Sequence, residues 1–429
     1  MLTLAIWPTS PFAGLKEQIF LFLSNTDVIV ALLYRFRFLL SNRYNIDMKI
    51  GINGFQLLEK AQAGPEVYAK NLVLALSKVD TTNDYVIYLP TKPDVEEFRK
   101  QTSINSRFSY KILNKLPLWS QLGLSWELLR NPVDVFFSPT HTIPGLVSIL
   151  TLGRFNPIVM IHGLEFKVNN QFGQMPIHRF LHPFVLWWIS HVSKKIIVPS
   201  KATRNAIQET PYMKVSDEKI VIVPEGVLDL YKKVSDEEVK LVKEKYDLGT
   251  FPYLFSLSTI QPRKNYPKLI QAFSEALKSN YDLKDFKLVI AGKNGWEYEE
   301  SLSAPKEYGI EDNVVFLGWV PTEDHPPLFS GSKAFVSASL EEGFGLPLLE
   351  AMSCETQCLV SNISAYKELG VDTISYFDPH DESDIKEKLL SVMAKEIDTD
   401  MVEKAHTRSR NYTWEQTAKK VLEVFTSFA

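Results

Sequence analysis

Short apolar runs alternate along this chain with stretches whose apolar residues recur at helical spacing. MKIGING (Met48–Gly54) opens the pattern, followed by a glycine-containing loop and the helical stretch PEVYAKNLVLALSKV. DYVIYLP, DVFFSP (Asp134–Pro139), PIVMIHG (Pro157–Gly163), KIIVPS (Lys195–Ser200) and KIVIVPEGV (Lys219–Val227) continue it. Each run ends in polar or turn residues. Near-continuous apolar strands separated by helices predict a parallel sheet covered on both faces. A charged, helical stretch, Asp229 to Thr250, reads as a connection. The pattern then restarts with YLFSLST (Tyr253–Thr259), FKLVIAG (Phe286–Gly292), NVVFLGW (Asn313–Trp319), KAFVSAS (Lys333–Ser339), QCLVSN (Gln357–Asn362) and ISYFDP (Ile374–Pro379). TWEQTAKKVLEVFTSF closes the chain as an amphipathic helix.

The expectation is therefore α/β: two doubly wound, Rossmann-like domains facing a central cleft. The expected boundaries are an N-terminal extension over 1–47, a first domain over 48–228 and a connection over 229–250. A second domain over 251–410 and a C-terminal helix over 411–429, packing back toward the first domain, complete them. Within 1–47, QIFLFL and VIVALLY are divided by Ser24-Asn25-Thr26-Asp27 and closed by Arg35 and Arg37. Neither run reaches the ~20 apolar residues of a membrane span. The stretch also lacks a basic start with a small-residue cleavage site. We read it as an extension, with a weak interfacial anchor as the alternative.

Composition narrows the function classes. The 429 residues are 45% hydrophobic and 23% charged, with a formal net charge of -4. No global basic field points to nucleic acid. Cys354 and Cys358 are the two cysteines, which excludes a disulfide framework and suits a reducing compartment, hence a cytoplasmic location. With no histidine beside them, they read as small core residues rather than a metal clip.

Chemistry is sought beyond the carboxyl ends of the strands, where open parallel sheets bind ligands. SLEEGFGLPLLEAM (Ser339–Met352) follows a strand and opens a helix. Gly343 and Gly345 let a ligand approach the main chain. Pro347 suits a first helical turn. Free N–H groups at a helix start attract anions, phosphate above all. Glu342 and Glu350 can accept paired hydrogen bonds from vicinal hydroxyls. A sugar joined through phosphates to a ribose uses all three features. Residue types alone leave this reading level with a plainer one, in which Glu350 favours the helix dipole and Glu342 is solvated. STIQPRKNYPKLIQAF (Ser258–Phe273) places Arg263 and Lys264 at a second strand-to-helix junction. Two cations there can neutralise a departing diphosphate; a solvated basic turn is the plainer alternative.

With PRKN upstream, the spacing Glu342-x7-Glu350 around Gly-Phe-Gly-Leu-Pro resembles the retaining glycosyltransferases of family four, fold type GT-B. VIVPS-x-x-T-R, IVPEGV, LVIAGKNGW and VVFLGWVP stand in the same order as in that family, and the resemblance runs from Met48 to the C-terminus. It implies that Arg263 and Lys264 bind the donor pyrophosphate, and that the amides of Phe344, Gly345 and Leu346 cap the distal phosphate and sugar. Glu342 would hold donor-sugar hydroxyls and Glu350 the nucleotide ribose. His162 matches a histidine near the transferred sugar. Gly292 and Lys293 match the strand end beside the base, and Gly64 the first glycine-rich loop.

Two departures touch the site. His162-Gly163 stands where many relatives have His-Asp, so an acidic group there is either Glu165 or absent. Glu66 stands where a basic residue is frequent. The implied activity is metal-independent transfer of a hexose, with retention, from a nucleotide-diphosphate sugar. GDP-mannose and UDP- or dTDP-linked donors all fit, mannose being mildly favoured. The acceptor is a glycan, a lipid-linked glycan or a small molecule, and no cofactor is implied. The alternatives are a nucleotide-sugar epimerase, another GT-B enzyme, or a non-catalytic nucleotide-sugar-binding protein. The aromatic and basic stretch His178–Lys195 reads mostly as a buried helix, with peripheral membrane contact as its second reading.

Overall fold

The structure is a computed structural model that describes residues 47–58, 64–91, 104–113, 119–151, 155–164 and 176–428. Residues 1–46 of the N-terminal extension, Glu165 and part of the loop before Gly64 lie outside the described residues. Among the described residues, no helix is long and apolar enough to cross a membrane.

Two parallel sheets organise the chain. The first contains β1 (Lys49–Asn53), β2 (Asp84–Leu89), β3 (Phe108–Ile112), β4 (Val135–Ser138), β5 (Pro157–Met160), β6 (Lys195–Val198) and β7 (Ile220–Ile222), in the order β3-β2-β1-β4-β5-β6-β7. The second contains β8 (Tyr253–Leu257), β9 (Lys287–Ala291), β10 (Val314–Gly318), β11 (Ala334–Ser337), β12 (Cys358–Ser361) and β13 (Ser375–Phe377), in the order β10-β9-β8-β11-β12-β13. Every strand pairing is parallel. Together the two sheets give the GT-B architecture.

Both sheets reverse their strand order at an internal point, between β1 and β4 in the first and between β8 and β11 in the second. Ligands of open α/β sheets bind at such switch points, beyond the strand ends. The turn after β8 carries Arg263 and Lys264, and the turn after β11 carries Glu342. The candidate charges therefore come together because their two strands are neighbours in the sheet.

Burial follows the apolar pattern. β4 and β11 are buried throughout, as strands inside a two-faced sandwich must be. The helix Tyr266–Ser279 buries Leu269, Ile270, Phe273, Ala276 and Leu277, the stripe expected of a helix lying on a sheet. β3 is the strand that the hydrophobic pattern misses. It lies at the sheet edge, buries Phe108 and exposes Tyr110 and Ile112, with Lys111 between them. The stretch from Asp229 also differs from a bare connection. Its helix Asp236–Lys245 starts with a complete Ser235/Glu238 capping box and buries Val242 in the second sheet's core, where Leu248 joins it. The helix Pro176–Val192 is only partly buried: Leu186 and Ile189 face inward, while Phe184 is 58% exposed and stacks on exposed Trp187.

The helix Trp414–Thr426 packs against the helix Gly64–Val79 of the first lobe. Val227 and Thr413 pair where the chain passes between the lobes in each direction. Trp414, Ala418, Val421 and Phe425 enter the same core as Ile50, Ile52 and Phe137. Trp414 meets Tyr68 edge to face at 5.8 Å, and Phe425 lies 5.3 Å from Phe137. Truncating a buried Trp removes its transfer energy and leaves a cavity. Trp414→Ala is therefore expected to lower stability by about 3–5 kcal/mol, read by denaturant unfolding. A loss below about 1 kcal/mol would show that the C-terminal helix does not hold the first lobe together.

Candidate functional site

The turn after β8 is a single 3-10 turn, Pro262–Lys264, ended by Asn265 in the left-handed region at φ 57. Asn265 tolerates that conformation better than most residues, and its side-chain amide donates to Pro379 O at 2.9 Å. Leu340 N donates to Arg263 O at 2.8 Å, which ties this turn to the one after β11. Arg263 then donates to Glu342 Oε2 at 3.0 Å and to Glu341 O at 3.1 Å. Lys264 Nζ bonds Glu342 Oε1. Ser339 Oγ and Tyr366 Oη donate to the same oxygen at 2.8 and 3.3 Å. The side chains of Arg263, Lys264 and Glu342 are 11%, 9% and 11% exposed, so this ion cluster is largely shielded from solvent. Burial alone would raise the Glu342 pKa. Lys264 and Arg263, with hydrogen bonds from Lys264 and Ser339, overcome it and bring the pKa down to about 2.

Glu350 lies inside the next helix, Leu346–Ser353, and has the opposite environment. Burial pushes its pKa up to about 7, opposed by a hydrogen bond with Tyr231. Tyr231 Oη lies 3.1 Å from His325 Nδ1, and His325 Nε2 lies 3.2 Å from Val320 O. Burial lowers the His325 pKa and so favours a neutral ring.

Gly345 caps the helix Leu346–Ser353 at φ 110, and Pro347 stands in the first turn. Phe344 is buried edge to face on Tyr412 at 5.9 Å. Gly292 ends β9 at φ 142, where a Cβ would lie 1.9 Å from Ser258 O. Its N–H donates to Gly318 O at 2.7 Å, and the carbonyl of Lys293 accepts from Ile260 N at 2.9 Å. Gly292 and Lys293 are thus seated against the start of the Arg263 turn.

His162, after β5, meets this group from the first lobe. The contact is main chain to main chain: a Cβ on Gly343 would lie 1.7 Å from His162 O. The imidazole faces two oxygens, with Nδ1 3.0 Å from Glu225 Oε1 and Nε2 2.9 Å from Pro139 O. Both ring nitrogens are thus engaged, one by a carboxylate and one by a main-chain carbonyl. Tyr68 packs on the ring edge to face at 4.8 Å. Gly64 opens the helix that carries Tyr68, about one turn away, with open space where a Cβ would stand.

Arg263, Lys264, Glu342, Phe344, Gly345, Leu346, Gly292 and Lys293 are thereby gathered on adjoining turns of the second lobe, and His162 adjoins them at Gly343. Glu350 sits one helical turn deeper. Gly64 joins the group only through Tyr68 and His162. Sequence reasoning missed Glu225, the carboxylate that partners His162 in this structure. Its signal was the acidic residue in IVPEGV, beyond the end of β7, two strands along the sheet from the β5 that leads to His162. It also missed Tyr231, which has no local motif.

Two family profiles match the chain: "Glycosyltransferase Family 4" over residues 63–228 and "Glycosyl transferases group 1" over 239–412. The O-antigen chain mannosyltransferase B of Escherichia coli is 31% identical over 189 residues, 43% of this chain and 48% of that protein. The serotype-specific mannosyltransferase WbdA of Escherichia coli is 30% identical over 233 residues, 52% of this chain and 28% of that protein. The chain thus spans about half or less of the length of these curated relatives. Among solved structures, sucrose-phosphate synthase from Thermosynechococcus elongatus superposes with a TM-score of 0.70 at 17% identity, covering 89% of this chain and 98% of that one. Anabaena HepE in complex with UDP and glucose gives a TM-score of 0.67 at 14% identity, covering 89% and 100%. These two likenesses bear on the fold.

The two glutamates predict opposite pH signatures. Between the ordinary carboxyl value of 4.5 and about 7, the folded chain holds the Glu350 proton more tightly than the unfolded chain. Its contribution to stability therefore falls as pH rises through that window, and Glu350→Gln removes this slope. Glu342, held at about 2, contributes stability that is lost as pH falls below about 4.5. Glu342→Gln removes that loss and costs about 3 kcal/mol at neutral pH, because two buried cations lose their counter-charge. Denaturant unfolding across a pH series measures both, and identical slopes in wild type and variants would contradict these environments.

Proposed function

The chain belongs to the group 1 glycosyltransferases, on the GT-B fold, and from that premise we propose that it transfers a hexose, with retention, from a nucleotide-diphosphate sugar to a glycan or lipid-linked acceptor. Mannose is the favoured sugar, because two of its relatives are mannosyltransferases, one of them named for the O-antigen chain. The observation that carries this reading is the placement of Arg263 and Lys264. Both stand at the switch point of the second sheet, fixed by Glu342 on the turn that leads into Phe344, Gly345 and Leu346.

Transfer breaks the bond between the sugar C1 and the diphosphate oxygen and forms one between C1 and an acceptor oxygen. Negative charge grows on the diphosphate as the first bond stretches. Arg263 and Lys264, together with the N-terminal amides of the helix Leu346–Ser353, stabilise that charge. Because Glu342 already fixes the cations, little reorganisation is needed at the moment of reaction. The acceptor approaches from the same face as the leaving group departs, and its proton passes to the departing phosphate oxygen. Glu342 also offers carboxylate oxygens to donor-sugar hydroxyls, and Glu350 to the ribose diol. His162, its ring oriented by Glu225 and by Pro139 O, stands near the transferred sugar. The two cations occupy the electrostatic role of a divalent metal, so the proposed reaction is metal-independent and uses no cofactor. The proposed setting is cytoplasmic, with the exposed pair Phe184 and Trp187 as a peripheral contact for a membrane that holds the acceptor.

Removing one preorganised donor of this kind typically costs ~10²–10³ in rate. Lys264→Ala is expected to lose that much in transfer from a nucleotide-sugar, with free nucleotide released only when acceptor is present. EDTA is expected to leave the wild-type rate unchanged. Undiminished turnover of Lys264→Ala would remove the leaving-group assignment, and strict metal dependence would remove the metal-free mechanism.

A further inference from the structure

The loop carrying the proposed phosphate-binding amides is held from the opposite lobe. Gly343 O accepts from Ser200 Oγ at 2.6 Å and from Thr203 Oγ1 at 3.0 Å. Both donors belong to the first lobe. Ser200 follows β6 and caps the helix Lys201–Gln208, its hydroxyl accepting from Thr203 N at 3.0 Å. The next amides of that helix, Lys201 N and Ala202 N, donate to the Glu368 carboxylate of the second lobe at 3.0 and 3.2 Å. Glu368 lies on the helix Ser364–Gly370, which also carries Tyr366. Tyr366 donates to Glu342, and its ring lies 2.8 Å from where a Cβ on Gly345 would stand. One short helix of the first lobe thus grips the Gly343–Gly345 loop and the element behind it.

A trans peptide points its C=O and the following N–H in opposite directions. The peptide between Gly343 and Phe344 is trans, since the described chain has no cis bond. Fixing Gly343 O toward Ser200 and Thr203 therefore turns the Phe344 N–H the other way, out of the interface with the first lobe. A peptide rotated by half a turn would present its carbonyl, a negative dipole end, where an anion has to sit. Gly343 itself has no room for a side chain against His162 O, so the two main chains meet directly.

We infer that Ser200 and Thr203 are positioning residues for transfer: by holding Gly343 O from the first lobe, they orient the Phe344 amide toward the donor's distal phosphate. The phosphate site is then complete only when the two lobes are in contact, which couples closure to leaving-group stabilisation. This inference rests on the glycosyltransferase reading above and adds to it two hydroxyls that need not touch the substrate.

The test compares nucleoside diphosphate and monophosphate binding by calorimetry, with GDP against GMP and the UDP/UMP and dTDP/dTMP pairs in parallel. Thr203→Val keeps side-chain shape and leaves the Ser200 cap, and Ser200→Ala/Thr203→Val removes both hydroxyls. The double variant is expected to weaken diphosphate binding about tenfold while monophosphate binding stays within about twofold, with Thr203→Val intermediate. Thr203→Ser, which restores the donor, is expected to return diphosphate affinity to the wild-type value. Equal weakening of both nucleotides, or no weakening in the double variant, would overturn the inference and leave the glycosyltransferase reading standing. A wild-type chain that binds no diphosphate would remove both.

Discussion

The site depends on one buried carboxylate that holds two cations still. Arg263 and Lys264 follow one another in the sequence, and without a shared counter-charge they would repel and turn to solvent. Glu342 fixes both, at the point where β8 and β11 lie side by side. A buried ion cluster is a poor source of stability, because desolvation offsets much of the attraction. Its presence at the mouth of a helix is better explained by what fixed positive charge can do there. The depressed Glu342 pKa is the mark of that arrangement, and the raised Glu350 pKa reflects burial at a position eight residues farther on.

The second constraint is the joint between the lobes. His162 and Gly343 touch through their main chains, and the helix Lys201–Gln208 binds both a carbonyl and a carboxylate of the second lobe. Farther back, Trp414 and its helix return the end of the chain to the first lobe's core. The lobes are therefore linked at the site and at the base. The same contacts that set their separation also set the direction of the peptide before Phe344.

Much of this was legible in the sequence because local rules and global topology agree. Buried strands such as VFFS and AFVS announce themselves by uninterrupted apolar residues, and their polar ends mark the switch points. Arg263, Lys264 and Glu342 could be read as candidates because each follows such a run. β3 was not legible, since an edge strand with Lys111 between exposed Tyr110 and Ile112 carries no clean apolar run. Glu225, Tyr231 and Glu368 were not legible either. Their roles depend on contacts across 63, roughly 120 and 167 positions of chain, which no spacing rule reports. Ser200 and Thr203 were visible as part of a motif, but nothing in the motif says that their partner is a carbonyl in the other lobe.

The central claim is that main-chain amides and the fixed cation pair receive the diphosphate of an activated sugar. A crystal structure of the chain with a bound nucleoside diphosphate tests it most directly. The account predicts the distal phosphate within hydrogen-bonding distance of the amides of Phe344, Gly345 and Leu346, with Arg263 and Lys264 directed at its oxygens. A nucleotide bound elsewhere, or a phosphate at that turn with both cations directed away from it, would contradict the account.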